Sequence, residues 1–140
     1  MKKTAIIINY LLDNVDRAIA SRSKEYTAEL VRQKNNNWVY NVGDYLVRVK
    51  VPKIQTNGLS TSQIRDIFKL KNRDILVSCN CDFWKFNGPD FNAAIHDYSE
   101  RQYSNLQQPI ERDPEGKYLI CKHVYAALKD MLKEFKILEQ

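Results

Sequence analysis

Cys79-Asn80-Cys81 and Cys121-Lys122-His123 hold all three cysteines of the chain and one of its two histidines. Written as a pattern they are C-x-C, a long gap, then C-x-H. Thiolate and imidazole are the donors zinc prefers, and they come here in two close pairs. In a strand, residues i and i+2 point to one face, so an extended Asp74–Cys81 would aim Cys79 and Cys81 at the same ion. C-x-H cannot work that way inside a helix, where residues two apart lie on nearly opposite sides. The spacing therefore predicts Cys121 just before a helix and His123 in its first turn. Val124, Leu128, Met131, Leu132 and Phe135 recur at helical spacing downstream. The expectation is one structural Zn2+ held by Cys79, Cys81, Cys121 and His123, clipping a strand end to a helix start.

Four protein donors close a zinc shell, whereas catalytic sites keep a position open for water. Neither the deaminase signature nor H-E-x-x-H occurs in the sequence. Asp82 is a candidate to hydrogen-bond the outer side of the His123 ring; the competing reading is a solvated carboxylate. An odd number of cysteines, two of them too close along a strand to bridge without distortion, argues against a disulfide framework and for a reducing compartment. Two other readings compete. The thiols could be unrelated core residues, or one could be a nucleophile paired with His96 or His123. Both pair spacings and the helix that follows favour the metal.

The same residues resemble the SWIM-type zinc finger, C-x-C…C-x-H on a strand-strand-helix core. Cys79, Cys81, Cys121 and His123 match its four ligand positions one for one. Asp82-Phe83 after the first pair, and Cys121-Lys-His123-Val-Tyr-Ala-Ala-Leu128 across the second, resemble short stand-alone versions encoded by tailed bacteriophages. The resemblance covers roughly the C-terminal half, and the gap from Asp82 to Ile120 is longer than in many cellular members. It implies a non-enzymatic virion component of head, neck or tail that contacts other virion proteins. Such a protein would be found in the virion and in the infected-host cytoplasm. The SWIM family at large is thought to include nucleic-acid-binding proteins, which is the alternative. A host-takeover factor that binds a bacterial protein is a third.

Positioning these residues falls to a chain of 140 residues, 44% hydrophobic and 28% charged, ordinary for one soluble α+β domain spanning 1–140. Residues 1–23 read as an amphipathic helix capped by Thr4, with Ile8, Leu11, Leu12, Val15 and Ile19 as its apolar stripe. The opening residues imitate a signal peptide but lack a convincing cleavage site, and no apolar run reaches the length of a membrane span. Residues 24–78 read as an antiparallel meander and a short helix. Tyr26, Ala28 and Leu30 alternate in the first strand, Trp38–Tyr40 make the second and Tyr45–Val51 the third. Pro52 ends the meander. A short helix with Ile64, Ile67 and Phe68 precedes the cysteine-bearing strand, which we set against the meander. Residues 79–140 form the finger, with insertion 82–120. Within it, Asp90–Gln102 reads as a helix, and Trp84, Phe86, Phe91, Tyr98 and Tyr103 as pins, an exposed subset being a possible partner surface.

Charge divides the chain. Residues 1–78 carry 14 Lys/Arg against 7 Asp/Glu, and residues 79–140 carry 8 against 10. Arg32, Lys34, Arg48, Lys50 and Lys53, near Trp38 and Tyr40, are candidate contacts to a nucleic-acid backbone; a solvated sheet face is the plainer reading. The sequence shows no carboxylate pair, triad or phosphate-cradling loop, so no enzyme and no small-molecule substrate are expected.

Overall fold

The computed structural model describes residues 8–34, 37–51, 75–103, 113, 116 and 118–134. It is a mixed α+β structure built on a four-stranded antiparallel sheet. Helices α1 (Ile8–Asp13) and α2 (Arg17–Ser23) come first, then β1 (Ala28–Lys34), β2 (Asn37–Val42), β3 (Tyr45–Lys50) and β4 (Leu76–Cys79). Helices α3 (Asp82–Phe86), α4 (Pro89–Ile95) and α5 (Lys122–Glu134) follow. The strand order is β1-β2-β3-β4, so β4 does lie against the meander.

The expected single N-terminal helix is two helices. Asn14 Nδ2 donates to the Tyr10 carbonyl at 2.9 Å, and the Asp16 carboxylate accepts from Ala18 N at 3.1 Å and caps α2. Side chains that satisfy backbone groups at a break make the break cheap. The apolar stripe survives it: Ile8, Leu11 and Ile19 are buried. The Thr4 cap, the 64–68 helix, Phe135 and Lys53 lie outside the described residues.

Alternation decides which face of the sheet is wet. In β2, Trp38, Tyr40 and Val42 are buried while Asn37, Val39 and Asn41 are not; in β3, Val47 and Val49 are buried while Leu46, Arg48 and Lys50 are not. Helix α5 lies across the inner face and touches all four strands. It buries Val124, Ala127, Leu128, Met131 and Leu132. Each large aliphatic side chain so placed contributes about 2–5 kcal/mol relative to alanine. This layer holds β4 and the start of α5 together.

The described part of the insertion lies against the sheet. Val77 N donates to Tyr98 O at 2.8 Å and Glu100 N to Val77 O at 3.0 Å, so this backbone runs parallel beside β4 and covers its edge. The expected helix over 90–102 stops at Ile95, because His96 caps it and Asp97 adopts a left-handed φ of 63°. Inside the insertion the buried Asp113 carboxylate accepts from Asn92 Nδ2 at 2.9 Å and from Tyr118 N at 3.3 Å. Gly88, at φ 126°, lies so close that a Cβ there would collide with Asp113. Trp84 and Tyr98 are fully buried, as expected of pins, whereas Phe86 is 53% exposed.

Candidate metal centre

Three backbone turns bring the four residues together. Strand β4 ends at Cys79. Asn80 then turns the corner, accepting from Leu46 N at 2.9 Å through Oδ1 and donating its own N–H to Leu46 O at 3.3 Å. Cys81 follows in extended conformation as the N-cap of α3, its sulfur accepting from Trp84 N at 3.4 Å. Cys121 repeats the arrangement before α5, accepting from Val124 N at 3.5 Å. His123 stands in the first turn of α5, as the C-x-H spacing predicted.

The donor atoms of Cys79, Cys81, Cys121 and His123 all lie within 4.8 Å of one another, and all four residues are buried. His123 Nδ1 faces the sulfurs, 3.8 Å from Cys79 and 3.9 Å from Cys121. A tetrahedral ion with sulfur at about 2.3 Å needs sulfurs roughly 3.8 Å apart, so the cluster has the size for one ion. The four residues could thus hold a single metal with no more than small movements.

The electrostatics point the same way. Cys81 is the thiol that ionises most readily: hydrogen bonds from Cys121, then Cys79, hold its pKa far below the usual thiol value against the opposing effect of burial. Cys121 is pushed up by burial and then by the neighbouring sulfurs. Cys79 is also raised; its hydrogen bond with Cys121 opposes the shift, but its interactions with Cys81 and its burial outweigh that. One thiolate is therefore accommodated among three thiols. Deprotonating all three places three negative charges in a buried space, which a bound cation would offset. The N–H donors from Trp84 and Val124 would support metal-bound thiolates as they support these sulfurs.

The His123 ring packs against both Tyr26 and Tyr45, each with its ring centroid 4.9 Å away. Gly43, at φ 63°, lets the β2–β3 turn approach Tyr26, which a Cβ would meet at 3.1 Å. His123 Nε2 is buried and, among the described residues, has no hydrogen-bond partner. Asp82, one candidate to hydrogen-bond this ring, is exposed in the first turn of α3, which fits its solvated reading; the strand expected over 74–81 spans only Leu76–Cys79, because Asn80 turns the chain and Cys81 caps the helix. His96 is exposed at the end of α4, away from the cluster. The tyrosine packing and the Asn80 corner were not foreseen. Asn80 carried a faint signal, as the middle residue of C-x-C and a good turn former.

Of the basic candidates, Arg32, Lys34 and Arg48 line one cleft on the outer face of the sheet. Lys50 shares that face, paired across β2 and β3 with Asn37. Trp38 and Tyr40 point into the core, so their rings do not join the basic surface. Among the described residues, no helix is long and apolar enough to cross a membrane. No protein-family model matches the chain, and no curated protein or solved structure matches it either.

Proposed function

We propose that this chain is a zinc-stapled, non-enzymatic structural protein: a SWIM-like finger acting through protein contacts as a component of a bacteriophage virion. The observation that carries the reading is the convergence of four buried donors, which would leave a tetrahedral zinc no open position for a substrate or water. The metal would serve the fold, with a folding contribution on the order of 10 kcal/mol by analogy with small zinc domains. Function would then reside in the surface. The insertion supports this reading by leaving Phe86 53% and Ile95 45% exposed on neighbouring short helices, apolar groups suited to a partner interface. The virion assignment rests on the resemblance around the two ligand pairs. Its test is quantitative mass spectrometry of gradient-purified particles from an infected culture. A fixed copy ratio to the major particle proteins is expected; recovery only in the unassembled soluble fraction would overturn it.

A second reading, nucleic-acid binding, is favoured by one observation: Arg32, Lys34 and Arg48 line a single cleft. Titration of the zinc-loaded chain with DNA at low and physiological salt tests it.

A further inference from the structure

We propose that the outer face of the sheet carries a phosphodiester-binding cleft, built jointly by the meander and the insertion, that takes a polynucleotide backbone without reading its bases. The proposal rests on the second reading above and gives it a site. The cleft encloses about 240 Å³; among the described residues it is lined by Arg32, Lys34, Arg48 and Arg101 around Val39, with Glu100 as the one carboxylate.

Strand register sets the layout. Arg32 pairs with Val39, Val39 with Arg48, and Arg48 with Ser78, which places these four in one row across the sheet. The insertion extends the row, because its backbone at Tyr98–Glu100 runs beside β4 and Ser78 Oγ donates to Glu100 Oε1 at 3.1 Å. Four inter-strand steps make the row roughly 19 Å long. Arginines stand at β1, at β3 and, through Arg101, at the insertion. The carboxylate is already engaged: Arg101 Nε donates to Glu100 Oε1 at 2.6 Å. Among the described residues, Arg32, Lys34 and Arg48 have no acidic partner.

A row this long suits an extended polyanion better than a single small anion, which would engage one arginine. Its lining favours nucleic acid over an acidic protein. A protein partner needs apolar anchors in buried pockets, and among the described residues Val39 is the one apolar side chain that this face offers the cleft. Trp38 and Val49 also line it, but both are buried among the core residues. Phosphate binding needs only cations, because released counterions drive it. Among the described residues, none of the exposed large apolar side chains lines the cleft, so these offer bases no stacking platform. The insertion thus contributes one wall of a binding site besides covering the β4 edge.

The experiment is fluorescence anisotropy with the full zinc-loaded chain, using labelled oligothymidylate and oligoadenylate across a salt series. Both should bind alike, and the double variant Arg32→Gln/Arg48→Gln should weaken binding about tenfold at low salt. Each single-strand phosphate contact adds about 0.7 to the salt slope, so losing two should flatten it by about 1.4. Arg101→Gln, which lies outside the strands, should weaken binding about threefold and keeps the test valid if the double variant folds poorly. Arg17→Gln/Lys129→Gln removes the same charge from the groove between α2 and α5 and should change little. Equal weakening by that control, binding of polyglutamate as tight as DNA, or strong preference for one base would overturn the cleft. DNA binding that all cleft variants retain would remove the cleft and leave the nucleic-acid reading. No binding at low salt would remove both.

Discussion

At the scale of single residues, the centre is defined by what its thiols can and cannot do without a cation. Cys81 gives up its proton readily, while Cys79 and Cys121 hold theirs above the ordinary thiol value. A metal must displace those protons, so its affinity should rise with pH and fall on acidification. In a zinc-chelator competition the chain should lose its metal progressively as pH drops below neutrality, followed by absorbance of the released ion. Retention that is flat with pH would contradict three-thiolate binding. Cys81→Ser, which keeps an N-cap acceptor for Trp84 N but removes one thiolate donor, should release the metal under milder competition than wild type. The four donors were legible because their chemical types are rare and their spacing fits only certain backbones. The packing of Tyr26 and Tyr45 on His123 was not, since tyrosines far apart in sequence announce nothing about a shared neighbour.

Elements were legible where periodicity is strong and long. Helix α5 and strands β2 and β3 follow their apolar spacing closely, because one face of each is buried against the same core. Misjudged elements are short ones decided by single polar groups: the α1–α2 break at Asn14 and Asp16, α3 capped by Cys81, and α4 ending before Asp97. The sequence offers only a helix and aromatic pins for the insertion; its parallel alignment beside β4 depends on contacts distant in sequence. Tyr98 locks that alignment: its hydroxyl donates to Leu119 O at 2.7 Å, and burial, first of all, pushes its pKa well above 10.0. The folded state therefore favours the neutral phenol. The stabilisation is fully present below about pH 10 and is lost as pH rises past that value, where the unfolded chain ionises first. Tyr98→Phe should cost about 1 kcal/mol at neutral pH for the lost hydrogen bond and should show a smaller alkaline loss in denaturant titrations. An alkaline loss unchanged in the variant would show that Tyr98 is not its source.

For the molecule as a whole, the metal centre, the sheet and the insertion form one structural argument. The first ligand pair ends β4, the second starts α5, and the insertion between them returns to cover the edge of β4. A metal at this point would tie the two ends of a long excursion, where loop closure is entropically costly. Charge follows the same division. The basic first half supplies Arg32, Lys34 and Arg48 to the outer face, and the more acidic second half sends Arg101 to meet them. The central claim is that one zinc ion, held by Cys79, Cys81, Cys121 and His123, staples this arrangement. Native mass spectrometry of the purified chain, with thermal unfolding followed before and after chelation, tests it most directly. The account predicts a mass of one chain plus one zinc and a cooperative melt that collapses when the zinc is removed. A metal-free mass with the same cooperative melt before and after chelation would contradict it.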